Sequence, residues 1–174
     1  MSGDHKMINL KLPPDIEFQQ DIRLLIYRPR GLINETAVNK IITVIEEIEA
    51  ASQEPFNRFS DVLEAHEVEL NFQYVIQVSL HRRLTHKGRA PVKSAILATD
   101  TTIIHYARLL AVLTQGTSIK IQVFQDRQVA AKWLGVPVEL LAPKSRQAFT
   151  YKSKIKFNIQ DAKAHAQAQR LMVP

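Results

Sequence analysis

The sequence predicts an α/β fold built on a largely parallel sheet, and three observations carry that reading. Residues 91–137, PVKSAILATDTTIIHYARLLAVLTQGTSIKIQVFQDRQVAAKWLGVP, write out two strand-to-helix units in succession. At each junction a short apolar run or an apolar alternation gives way to helical spacing, with a capping residue between the two. Strand-like and helix-like segments also alternate upstream, and parallel neighbours need crossover connections of that kind.

Taken in order, residues 1–20 read as a loose lead-in, with Pro13-Pro14 blocking regular structure. Ile22, Leu24 and Ile26 alternate with Arg23 and Leu25 as in a strand, which ends at Pro29-Arg30-Gly31. Asn34 is placed to cap a helix in which Val38, Ile41, Ile42, Ile45 and Ile48 form one apolar stripe. Glu46, Glu47 and Glu49 face outward in this reading, and the helix stops before Pro55. Residues 56–63 read as a second strand. Residues 68–78 alternate like a strand, yet Phe72, Val75, Ile76 and Ser79 share a helical face, and the surrounding order favours a helix from about Asn71 to Arg83. Val92 to Ala98 is a third strand. Asp100, Thr101 or Thr102 caps the next helix, which carries Ile103, Ala107, Leu110 and Ala111 inside and closes at Gly116. Ile119, Ile121 and Val123 mark a strand. Asp126 then caps a helix with Val129, Ala130, Trp133 and Leu134 inside, stopped by Gly135 and Pro137.

Bulk properties narrow the class. The 174 residues fit one domain, 20–140, preceded by the lead-in 1–19 and followed by an extension, 141–174. Cysteine is absent, which excludes disulfides, a thiol nucleophile and thiolate metal sites. Residues 1–140 carry 16 basic and 16 acidic side chains, so the net charge of +6 falls within the last 34 residues. A basic extension on a neutral body meets anionic partners such as nucleic acid or a membrane surface, or is simply solvated. The opening residues lack the apolar core of a signal peptide, and no apolar run approaches the roughly 20 residues of a membrane span. A cytoplasmic protein is expected.

Several segments resemble the SpoIIAA-like branch of the STAS superfamily over about residues 20–137. They are Phe59-Ser60-Asp61-Val62; Leu70-Asn71-Phe72 leading into the helix that ends Arg82-Arg83; Pro91-Val92-Lys93-Ser94-Ala95-Ile96; Ala107-Arg108; Ile121-Gln122-Val123-Phe124-Gln125-Asp126; and Trp133-Leu134-Gly135. The resemblance implies a mixed sheet of four to five strands with about four helices, serving as a non-enzymatic regulatory or ligand-binding module without a cofactor. It implies protein partners or self-association, small apolar or phosphate-bearing ligands, and peripheral membrane contact. In relatives of the anti-sigma-factor-antagonist type a serine at a helix start is phosphorylated. The corresponding turn here is Glu69-Leu70-Asn71-Phe72, where Asn71 caps a helix but takes no phosphoryl group, and Ser79 lies too deep to replace it.

Candidate binding residues come from composition. Arg82, Arg83, Lys87, Arg89 and Lys93 gather around Gly88, where guanidiniums could hold an anion and glycine admits close approach. The competing reading is cations that complement a helix terminus and stay solvated. Thr99-Asp100-Thr101-Thr102 lies at a strand-to-helix edge that suits ligands, although Asp100 repels anions and ordinary capping accounts for it. The six histidines show no zinc spacing, and His105 reads as a partly buried helix residue. No glycine-rich phosphate loop or nucleophile elbow occurs, so neither catalytic nor metal-ligating residues are assigned. In the extension, Tyr151, Lys152, Lys154, Lys156 and Phe157 alternate aromatic and basic character, which fits assembly with a partner or subunit better than strand binding to nucleic acid. A basic-tailed protein on nucleic acid or an anionic membrane is the alternative function, nucleic acid being the less favoured of the two.

Overall fold

A computed structural model describes residues 11–143 apart from 53 and 87. At its centre lies a five-stranded sheet in the order β1-β2-β4-β6-β7, made of β1 (Ile16–Gln19), β2 (Leu24–Tyr27), β4 (Asn57–Asp61), β6 (Val92–Leu97) and β7 (Ile119–Phe124). β1 pairs antiparallel with β2, and every later pairing is parallel. A second, two-stranded parallel sheet joins β3 (Gly31–Asn34) to β5 (Ala65–Glu69). The helices are α1 (Glu35–Ser52), α2 (Phe72–Thr85), α3 (Thr101–Leu113), α4 (Arg127–Leu134) and the short α5 (Val138–Leu141).

The helix starts follow their caps. Asn34 Oδ1 accepts the Ala37 N–H, Asn71 that of Gln73, Asp100 that of Ile103 and Asp126 that of Val129. Each acceptor satisfies one of the amide donors that a helix start leaves unpaired. Gly135 closes α4 in the left-handed region at φ +80, where an L side chain is strained.

Four sequence expectations need correction. Strand β1 lies inside the segment read as a loose lead-in. Its register places Phe18 opposite Leu25, and it is held as an edge by pairing that begins just after Pro13-Pro14. Strands β3 and β5 were not foreseen either: each is four or five residues long, β5 shows one buried residue, and nothing in so short and polar a run separates it from loop. The inward faces of two helices also differ. Phe72 and Val129 face solvent, while α2 buries Val75, Ser79 and Arg82 and α4 buries Ala130, Ala131 and Leu134. His105 is exposed rather than partly buried.

The two faces of the central sheet are covered separately. Leu24, Ile26, Phe59, Ala95, Leu97 and Phe124 point to α4 and α5 and close a continuous core with Ala130, Leu134 and Leu141. Leu25 and Tyr27 point the other way, onto Val44, Ile45 and Ile48 of α1. Because both faces are covered, all four residues of β2 are buried, which blurs the alternation a one-sided strand would show.

Candidate functional site

Between the second face of the sheet and α1, α2 and α3 lies a cavity of about 220 Å3. Two neighbouring helices leave this space because they meet mostly through side chains. Tyr74 Oη donates to Asn39 Oδ1 at 2.7 Å, with the Glu35 carbonyl a second acceptor near the same proton, and His81 Nε2 lies 2.7 Å from Glu46 Oε1, so α2 is tied to α1 at two points along its length. Tyr106 of α3 donates to the Leu70 carbonyl at 2.8 Å and fixes the turn into α2. The walls between these ties are aliphatic, from Val38, Ile42, Val78, Ile103, Leu110 and Ile121.

One end of the cavity is polar. Arg58 and Ser94 are register partners on adjacent parallel strands and so point to the same side, with Ser60 two residues further along β4. Arg82 reaches this end from the last turn of α2. At the opposite end, past the carboxyl ends of the strands, Ile33, Val62, Val68 and Leu70 close the space through the small β3–β5 sheet. The cavity therefore runs from guanidinium and hydroxyl groups to hydrocarbon.

Behind the polar end sits an ion-pair cluster. The Glu49 carboxylate lies 2.5 Å from Arg58 Nη2, 3.4 Å from His86 Nε2 and 3.0 Å from Arg89 Nη1. Burial pushes the Arg58 guanidinium down to about 10, with the nearby Arg82 charge adding to the effect and Glu49 opposing it. Burial first, then Arg58, Arg82 and Arg89, push His86 down to about 3, so the imidazole is neutral at physiological pH. Arg82 is 6% exposed, its pKa is lowered by burial, and its hydrogen-bond contact is His86 Nε2 at 3.5 Å. Among the described residues it forms no ion pair.

The five cations singled out by composition are thus dispersed. Arg82 enters the cavity wall, Arg83 is exposed, and Arg89 is bound to Glu49. Lys93 belongs to the other face of the sheet, donating to the Trp133 carbonyl at 2.6 Å with its ammonium 5.4 Å from the Trp133 ring centroid. Lys87 lies outside the described residues, as do Tyr151, Lys152, Lys154, Lys156 and Phe157. Sequence reasoning missed Glu49, Arg58, Ser60 and Ser94. The sequence reading places Glu49 outward, although it stands four residues after Ile45 and so on the buried side of the helix.

Among solved structures, a crystal structure of an uncharacterised protein of the DUF3478 family with a SpoIIAA-like fold, from Shewanella loihica PV-4, is similar at 20% identity and a TM-score of 0.46. The likeness covers 68% of this chain and 90% of that one. No family model and no curated protein matches the chain. Among the described residues no helix is long and apolar enough to cross a membrane.

Proposed function

We propose that this chain is a non-enzymatic cytoplasmic module that binds a small, largely apolar ligand in the cavity between its sheet and α1–α3. The cavity itself carries the reading. Native interiors fill to crystal-like density, and voids larger than a few waters are rare. A space of about 220 Å3 exceeds the ~150 Å3 apolar cavity that accepts benzene. Its walls offer contact along their whole length to an aliphatic or aryl group.

Native mass spectrometry of the purified chain, followed by titration with 1-octanol read by methyl NMR, tests this. The expected result is a retained or added small molecule, with shifts confined to Ile42, Val78, Ile103 and Ile121. The variant Ala107→Phe, which projects a ring into the cavity, should abolish the shifts. Shifts that survive this filling, or that fall elsewhere, refute the reading.

A second reading has its own observation. Phe72, Leu80 and Leu84 stand exposed at helical spacing along α2, with Arg83 beside them. An anionic membrane surface would take such a face. Co-sedimentation with phosphatidylserine vesicles, lost in Leu80→Asp/Leu84→Asp, would support it, and equal binding by that variant would dismiss it.

A further inference from the structure

We infer that the cavity selects single-tailed amphiphiles with a monoanionic head, a carboxylate seated on Arg82 and the hydroxyls of Ser60 and Ser94, with the tail running toward Ile33 and Val68. The inference rests on the cavity being a ligand site and adds the chemistry of the ligand and its direction.

Three observations bear on it. The first is charge. Around the polar end stand Arg58, Arg82 and Arg89 against Glu46 and Glu49, three guanidiniums to two carboxylates, with His86 held neutral. Arg58 and Arg89 share the single Glu49 carboxylate, and Glu46 lies beside His81. Both carboxylates favour the charged form of Arg82 without pairing with it directly, so three positive charges face two negative ones. The surplus charge is the buried Arg82, whose guanidinium stays protonated in proteins. A buried charge without a paired counter-charge is costly, and the anion that would balance it carries a single charge.

The second is hydrogen-bonding capacity. Ser60 and Ser94 line the cavity, and their hydroxyls have no hydrogen-bond partner among the described residues. By contrast the buried hydroxyls of this region, Ser79 and Thr114, donate to the carbonyls of Val75 and Leu110, whereas Ser60 and Ser94 are half-buried. Two donors on adjacent strands and a guanidinium fork from the facing helix suit a planar carboxylate, which accepts bidentate hydrogen bonds.

The third is shape and polarity. Apart from Thr114, whose hydroxyl donates to the Leu110 carbonyl, the remainder of the lining is aliphatic or aromatic from Tyr27 and Val38 to Leu70. A space of about 220 Å3 falls below the ~300 Å3 at which sites for larger organic ligands begin. Medium-chain fatty acids and small aryl carboxylic acids fit both the size and the gradient from charge to hydrocarbon.

Calorimetric titration of the full chain with octanoate, 1-octanol and octylamine tests the selection without any mutation. Octanoate is expected to bind about tenfold or more tightly than 1-octanol, since hydrogen bonds to a charged group exceed neutral ones by that much. Octylamine should be the weakest of the three. In Arg82→Met the preference for octanoate over 1-octanol should vanish while 1-octanol binding persists. Should that variant fail to fold, Ser60→Ala/Ser94→Ala provides the second test, with octanoate weakened several-fold and 1-octanol unchanged. Equal binding of octanoate and 1-octanol by the native chain, a preference that survives loss of Arg82, or one undiminished by loss of both hydroxyls overturns the inference and leaves the ligand site standing. Absence of binding by all three overturns both.

Discussion

The two faces of the central sheet solve the problem of burial in different ways. The face under α4 and α5 is filled by Phe59, Leu97, Phe124 and Leu141, all almost inaccessible, and its helix is clamped by charged side chains at the edges. Arg127 of α4 pairs with Asp61 at 2.8 Å, Arg28 donates to the carbonyls of Leu141 and Ala142, and Lys93 reaches the Trp133 carbonyl. The face under α1, α2 and α3 keeps a cavity and buries arginines instead of more leucine. One face maximises packing; the other gives up packing for a space with a charged end. That division locates stability on one side and ligand chemistry on the other.

The contrast can be broken by substitution. Phe59→Ala, on the filled face, should cost about 4 kcal/mol by urea denaturation, because a fully enclosed ring leaves a void its neighbours cannot close. Glu49→Gln should follow at about 3 kcal/mol, since it leaves Arg58 buried without its counter-charge. If Glu49→Gln proves nearly neutral, the charged end is solvated and the account of the second face is wrong.

Acid sharpens the same comparison. The folded pKa of His86 lies below its unfolded value near 6.5, so at acid pH the unfolded chain binds a proton that the folded chain refuses. Stability contributed by the neutral imidazole is whole above pH ~6.5 and is lost as pH falls toward 3, amounting to about 2 kcal/mol by pH 5. Denaturation midpoints at pH 7 and pH 5 should therefore differ for the native chain and converge in His86→Phe. A midpoint difference unaltered in the variant would assign the acid sensitivity to other groups.

The smallest effects belong to cavity walls and caps. Ile42→Ala should cost about 1 kcal/mol, well below Phe59→Ala, because a side chain with empty space on one side gives up fewer contacts. Asp126→Ala should cost about the same by removing the acceptor for the Val129 amide at the start of α4. An Ile42→Ala loss as large as that of Phe59→Ala would mean that the cavity is filled and that the two faces are alike.

Legibility in the sequence followed local chemistry. Every major helix began at an expected cap, Asn34, Asn71, Asp126 and, of the three candidates for α3, Asp100, because capping depends on residues within three positions of one another. The β6–α3–β7–α4 run was equally plain. The short sheet of β3 and β5 was not, since two strands separated by a long helix are defined by their pairing and not by their own residues. The site was legible only through Arg82, which the sequence offers as an anion holder near Gly88, with a solvated partner of the helix dipole as the competing reading. Its burial depends on α1 and β4 lying alongside.

The sequence by itself determined the class of fold, the order of its principal elements and where the helices begin, since periodicity and capping act over a few residues. Tertiary structure alone decided that Arg58, Ser60, Arg82 and Ser94, spread over three elements, line one apolar space, with Glu49 of a fourth paired to Arg58 behind it. Charge and hydroxyl groups so far apart along the chain interact only through distance in the folded state, and no spacing rule encodes that distance.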